Sequence, residues 1–195
     1  MVQGAREMKW IPYNEIVDCG IVEYERFADD RGYFQELWNR KTLAENGIPL
    51  PWNYAQDNTS FSYEGVMRGF HIQSNNPQGK LVTCLYGKIM DVCLDLRHTS
   101  PTFLHMTRVI LDGRRAQSFW LPPGTAHAFL ALENSLIHYK CTTPYDKESD
   151  GGANACSPEL QFVWPVGNFF RSEKDRELPM LSEYLGRLPN KPPLA

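Results

Sequence analysis

Residues 81–96 read LVTCLYGKIMDVCLDL. Two apolar runs of strand length flank Gly87 and Lys88, which predicts a strand over 81–86, a tight turn, and a second strand over 89–96. Alternation along the second strand puts Met90, Val92, Leu94 and Leu96 on one wholly apolar face, which must pack. Ile89, Asp91, Cys93 and Asp95 share the other face. Its two carboxylates are expected to meet water, cations or a ligand.

The same grammar continues outward. SFWLPPGTAHAFLALEN (118–134) reads as strand, Pro-Pro-Gly turn, strand, and SLIHYKCTT (135–143) as another strand. His127 and Phe129 then share a face opposite Ala126, Ala128 and Leu130, and Ile137, Tyr139 and Cys141 lie together opposite His138. Turn signals at short intervals predict an all-β barrel or sandwich. Helical signal is thin: NRKTLAENG (39–47), with Asn39 as cap and Gly47 as stop, and LPMLSEYLG (178–186). The Pro-rich tail at 187–195 is expected to fray.

Length and composition bound the rest. The chain of 195 residues suits one domain spanning 1–195, with an N-terminal arm and the C-terminal tail. A net charge of −3 gives no electrostatic support for binding nucleic acid or an anionic membrane. No apolar run reaches the roughly 18 residues of a membrane span, and MVQGAREMKW lacks the layout of a signal peptide. The expectation is a cytoplasmic protein. The five cysteines form no CxxC pair, so neither a disulfide framework nor a zinc ribbon is indicated. Those in apolar strand runs read as buried thiols.

GVMRGFHIQSNNPQGK (65–80) loads a strand region with Arg68, His71, Gln73 and Lys80. The glycine six residues before His71, and the P-x-G-x-x-H spacing that ends at His127, resemble the two half-motifs of the cupin fold, a small β-barrel or jelly roll. Metal-binding cupins carry a His-x-His pair and a later Glu in the first half. Here Gln73 stands at the second His position, and SNNPQGK offers no carboxylate. Two histidines fall short of a usual ligand set, and Arg68 and Lys80 repel a divalent cation. The expectation is no metal and a pocket for an anion.

The resemblance then becomes closer than a fold. DDRGYFQE (29–36), QDN (56–58), RGFH (68–71), PQGKLV (77–82), DVCLDLR (91–97), SPTF (100–103), WLPPGTAHAF (120–129), YKCT (139–142) and SEKD (172–175) recur in order. Over about residues 20–185 the chain resembles the dTDP-4-dehydrorhamnose 3,5-epimerase family. That resemblance implies an isomerase without a cofactor, acting on a nucleotide-diphosphate 4-keto-6-deoxy sugar in deoxysugar and surface-polysaccharide biosynthesis. It implies His71 as base with Asp175 as its partner, Tyr139 as proton donor, and Lys80 with His127 near the C4 oxygen. Arg31, Arg68 and Lys174 would meet the diphosphate side of the substrate. Glu36, Gln56 and Asn58 would bond the base or ribose, Tyr145 would stack on the base, and Phe34 and Asp150 complete the substrate contacts. It also implies a homodimer with exchanged N-terminal strands, some ligands crossing the interface. Asp91 and Asp95 read as structural or supporting carboxylates.

The sequence departs from the family in places. Pro144 replaces a tyrosine, Asp150 stands where Glu is usual, ACSP (155–158) lacks the family's Trp and Asp, and P-P-G-T (122–125) replaces P-E-G-F. The catalytic positions are intact. Changed pocket walls at 144 and 153–158 predict discrimination among nucleotide bases that is looser than usual for the family or has moved to another base. Alternatives are an epimerase of one centre, a ketoisomerase, or a binding module that kept the nucleotide clamp without turnover. A metal-dependent oxygenase on the same barrel is disfavoured by the missing ligands.

Overall fold

The computed structural model describes residues 7–51, 53–166 and 168–188. Residues 189–195, most of the tail expected to fray, lie outside them. The chain begins with β1 (Met8–Pro12) and β2 (Gly20–Tyr24), then a separate hairpin of β3 (Arg26–Asp29) and β4 (Gly32–Gln35), and helix α1 (Arg40–Glu45). The barrel strands follow: β5 (Gln56–Ser62), β6 (Met67–Gln73), β7 (Lys80–Tyr86), β8 (Lys88–Asp95), β9 (Met106–Asp112), β10 (Gln117–Leu121), β11 (Thr125–Ala131), β12 (Ser135–Cys141) and β13 (Asp150–Gly152). Two short helices, α2 (Glu173–Glu177) and α3 (Leu181–Arg187), close it.

One sheet runs β1-β2-β10-β7-β12-β5, the other β13-β6-β11-β8-β9. All their pairings are antiparallel. From β5 to β8, successive strands switch sheets, as they do again from β9 to β13. This is a cupin-like jelly roll with short peripheral helices. The strands expected around Gly87 are present, but they are not a hairpin: β7 and β8 belong to different sheets. Gly87, at φ 78°, turns the chain across the barrel, and a Cβ there would lie 2.1 Å from the Asn134 carbonyl oxygen. The Pro-Pro-Gly turn crosses between sheets in the same way. Local sequence signals a turn, but which strands pair is decided by packing over the whole chain.

Strand alternation explains the layers. Ile21, Val82, Cys84, Ile89, Cys93, Phe119, Phe129 and Ile137 fill the space between the sheets. On the outer side of the five-stranded sheet, Met90, Val92, Leu94, Ala126, Ala128 and Leu130 pack under Trp164, Leu181 and Leu185. On the outer side of the other sheet, Val22, Leu81 and Trp120 pack under Leu43, Ile48 and Leu50, beneath α1. Asn39 caps α1 by accepting from the Lys41 and Thr42 N–H groups, and Gly47 leaves it at φ 64°. Helix α2 was not foreseen; its five residues are too few for an apolar period, and its Ser172 cap sits within SEKD.

The face carrying Asp91 and Asp95 is not open to solvent, contrary to one expectation. Both residues are fully buried. Asp95 accepts from Arg97 Nε (2.9 Å) and Nη2 (2.8 Å), Ser100 Oγ (2.6 Å) and Thr102 Oγ1 (2.7 Å), which ties the 97–102 loop to the strand. Asp91 meets a histidine of the candidate site. Cys19, Cys84, Cys93 and Cys141 are buried free thiols and Cys156 is an exposed one.

Candidate active site

A cavity of about 220 Å³ opens between the two sheets. His71 reaches it from β6 of the five-stranded sheet. Lys80 from β7, Tyr139 from β12, and Gln56 and Asn58 from β5 reach it from the six-stranded sheet. Tyr145, Asp150 of β13 and Lys174 of α2 complete its rim. The histidine and the tyrosine therefore belong to opposite walls.

The R-G-F-H run has a local reason. Gly69 sits at φ 102°, and a Cβ there would lie 2.3 Å from the His127 carbonyl oxygen and 2.9 Å from the Ala128 Cβ. Only glycine allows β6 and β11 to come this close, at the irregularity in their pairing between His127 and Phe129. The close approach sets His71 and His127 as register partners on neighbouring strands.

Each of these histidines holds a buried carboxylate. His71 Nε2 lies 2.5 Å from Asp175 Oδ1, and His127 Nε2 lies 2.5 Å from Asp91 Oδ1. Burial pushes the Asp175 carboxyl up, but the hydrogen bond and charge of His71, with hydrogen bonds from Ser172 and the Gly69 backbone, hold it below its ordinary value. Asp175 therefore stays ionised at neutral pH, fixes one ring nitrogen of His71, and leaves Nδ1 free of that contact. Burial lowers the Lys80 ammonium from its ordinary value, opposed by Cys141, Asp150, Asp91 and Cys93. Burial also raises the Tyr139 phenol, against the nearby charge of Arg68. Tyr139 is thus kept as an acid.

Arg68 donates from Nε to Ser62 Oγ (3.1 Å) and from Nη2 to the Phe61 carbonyl (3.1 Å). Its charge reaches Tyr139, though it does not line the cavity. At the rim, Asp150 Oδ2 accepts from Tyr145 Oη (2.9 Å) and from Lys174 Nζ. Tyr145 N–H donates to Gln56 Oε1 at 2.6 Å, and Gln56 Nε2 donates to Asn58 Oδ1 at 2.9 Å.

Besides Asp175, which bonds the lining residue His71, five expected site residues do not line this cavity within one chain: Arg68, His127, Arg31, Phe34 and Glu36. Arg31 sits at the tip of the β3–β4 hairpin, 90% exposed and paired with Asp29 at 2.5 Å. Phe34 is exposed on the same hairpin, 6.5 Å from the Phe27 ring. Glu36 accepts from Asn39 Nδ2 (3.1 Å) and Thr42 Oγ1 (3.1 Å). The hairpin is a two-stranded unit outside both large sheets.

The segment 153–158 also lies elsewhere than expected. It does not wall the cavity: Ala153 and Ala155 pack with Phe70 and Trp164 in the outer core, and Ser157 caps Leu181 N–H at 2.9 Å. Its changed residues bear on the seating of α3, and Pro144 remains as the change near the rim. The sequence reading missed Ile72, Gln73, Gln78 and Cys141 as lining residues and the His127–Asp91 pair. The face shared by Asp91 and Cys93 was the available signal for the pair, since Cys93 registers with His127.

Fold and relatives together define the class: a cupin-like jelly-roll isomerase of nucleotide sugars. The model of the family described as dTDP-4-dehydrorhamnose 3,5-epimerase matches residues 13–183, and the chain belongs to that family. The dTDP-4-dehydrorhamnose 3,5-epimerase of Methanothermobacter thermautotrophicus is 42% identical over 167 residues, covering 84% of this chain and 89% of that protein. The crystal structure of the dTDP-6-deoxy-D-glucose-3,5-epimerase of Legionella pneumophila with dTDP-4-keto-L-rhamnose is 38% identical, with a TM-score of 0.83 over 90% of this chain and 94% of that one. A 3'-monoepimerase of Streptomyces bikiniensis in complex with dTDP-quinovose is 28% identical, with a TM-score of 0.81 over 91% of each chain.

Proposed function

We propose that this chain, acting as one unit over 1–195, epimerises C3 and C5 of a thymidine-diphosphate 4-keto-6-deoxy sugar in deoxysugar biosynthesis. The observation that carries this reading is the His71–Asp175 pair on one wall of a cavity whose other wall bears Tyr139 and Lys80. His71 takes the proton α to the C4 ketone. The C–H electron pair moves into a carbon–carbon double bond, and the negative charge goes to the C4 oxygen. Lys80 and His127 stabilise that oxyanion, and Tyr139 returns a proton to the carbon from the opposite face, which inverts the centre. Arg68 and Lys174 pair with the diphosphate. Gln56 and Asn58 bond the nucleoside, Tyr145 stacks on the base, and Asp150 orients Tyr145 and Lys174. No metal or cofactor takes part. The five free cysteines fit a reducing, cytoplasmic setting.

Incubation with dTDP-4-keto-6-deoxyglucose, followed by NMR of the sugar ring, tests the reading. Conversion to the doubly inverted L-sugar supports it, and an unchanged substrate at high enzyme concentration rules it out.

Arg31, Phe34 and Glu36 belong to a second copy's cavity in this reading, the protein working as a homodimer that exchanges its N-terminal hairpins. The exposed aromatic hairpin supports this. A mixed dimer of His71→Ala and Arg31→Ala chains then holds one intact site, built from the His71 of one chain and the Arg31 of the other. Mixing and refolding the two weak variants should restore up to about half the activity of a wild-type dimer per mixed dimer. Activity no higher than the sum of the separate variants would place Arg31 in its own chain's site or in none.

A further inference from the structure

Gln73 stands at the position where metal-binding cupins carry their second histidine, two residues after His71 on β6. It is buried, 4% exposed, and its amide is fully engaged. Nε2 donates to the Asn76 carbonyl at 3.1 Å and the Pro144 carbonyl at 3.3 Å, and Oε1 accepts from Asp146 N–H at 2.9 Å. Pro144 and Asp146 flank Tyr145. One side chain thus grips the backbone on both sides of the rim tyrosine and ties it to the 74–76 turn.

The choice of residue follows from the backbone it must satisfy. Pro144 has no N–H, so its carbonyl is the group available for anchoring there. An amide is the side chain that donates to carbonyls from one end and accepts from an N–H at the other. A histidine or glutamate at this place could not meet all three groups. The far end of the same loop is held differently, by β13 pairing its backbone to β6, with Asp150 opposite Gln73.

We infer that Gln73 is a positioning residue for nucleotide binding: it holds the 144–146 loop so that the Tyr145 ring stands ready for the base. This rests on the reading of Tyr145 as the base-stacking group. Gln73 transmits no chemistry to His71, although the two share a strand. A pre-formed loop spares the ordering cost at the moment of binding, so losing the grip weakens binding without slowing proton transfer.

Gln73→Met keeps the volume and removes all three bonds. Gln73→Glu keeps the acceptor for Asp146 N–H and loses the amide donor. Steady-state kinetics with the dTDP-4-keto sugar give KM and kcat, and calorimetric titration with thymidine diphosphate gives Kd. The expected result for Gln73→Met is a rise of about tenfold in KM and Kd with kcat within about twofold, and a rise at least as large for Gln73→Glu, whose carboxylate would face two carbonyl oxygens. In a Tyr145→Ala background, Gln73→Met should add nothing further, because the two act as a unit. Unchanged KM and Kd overturn the inference, as do a fall in kcat at constant KM or an effect that adds fully to that of Tyr145→Ala. If Gln73→Met does not fold, Gln73→Glu carries the same expectations. A wild-type protein inert towards 4-keto sugars would defeat the epimerase reading alone, and the thymidine diphosphate titrations would still decide the role of Gln73.

Discussion

His71→Ala abolishes exchange of the sugar's α protons with solvent. Among the described residues, nothing else at the cavity is placed to replace the imidazole: Asp175 lies behind it and is ionised, and Lys80 faces from the other sheet. A positioned general base contributes about 10²–10⁴ in rate, so the loss should be at least that large. The substitution deprives the buried Asp175 of its partner, which costs some stability. Asp175 keeps its backbone contact to Ser172 Oγ at 3.1 Å, and His71→Gln, whose amide reaches the Nε2 position and can still donate to the carboxylate, controls for any loss of fold. Mass spectrometry of substrate held in D₂O reads the exchange, and circular dichroism checks the fold. Exchange within a few-fold of wild type would remove His71 from the mechanism.

Tyr139→Phe should separate two steps that the wild type performs together. Removing the proton needs only the histidine wall of the cavity; delivering one to the other face needs the phenol. The ring packs against the cluster between the sheets, and phenylalanine keeps that packing. The variant is therefore expected to fold, to wash deuterium into the sugar, and to form inverted product at least about 10²-fold more slowly. Exchange and inversion lost in equal measure would make Tyr139 a group that positions substrate.

Much of this was legible in the sequence because strand alternation is local. Which of Ala126–Leu130 and Ile137–Cys141 face inward follows from a period of two, and the structure agrees: Ala126, Ala128 and Leu130 lie in the outer core, Phe129 and Ile137 between the sheets, and Tyr139 and Cys141 at the cavity. Pairing partners are not local. Gly87 and the Pro-Pro-Gly turn announce a reversal, but whether the chain folds back on its own sheet or crosses to the other depends on strands far away in sequence. The buried state of Asp91 and Asp95 was illegible for a related reason: each is rescued by a partner on another element, His127 in one case and Arg97, Ser100 and Thr102 in the other. His71, Lys80, Tyr139 and Asp175 are separated by up to 104 residues and came together only through family motifs. Arg31, Phe34 and Glu36 carry the same motif signal, yet one chain does not bring them to the cavity. A motif reports which residues are used together without saying which copy of the chain supplies them.

The most direct measurement is positional deuterium incorporation by the wild-type protein acting on dTDP-4-keto-6-deoxyglucose in D₂O. Two carbons flank the C4 ketone, and the same base and acid must serve both for the doubly inverted product to form. The account predicts deuterium at C3 and at C5, none at C2, and an L-configured product that carries both labels. Label at C3 alone would reduce the protein to an epimerase of one centre. No label at either carbon, with thymidine diphosphate still bound, would contradict the account and leave a cavity that holds nucleotide sugars without turning them over.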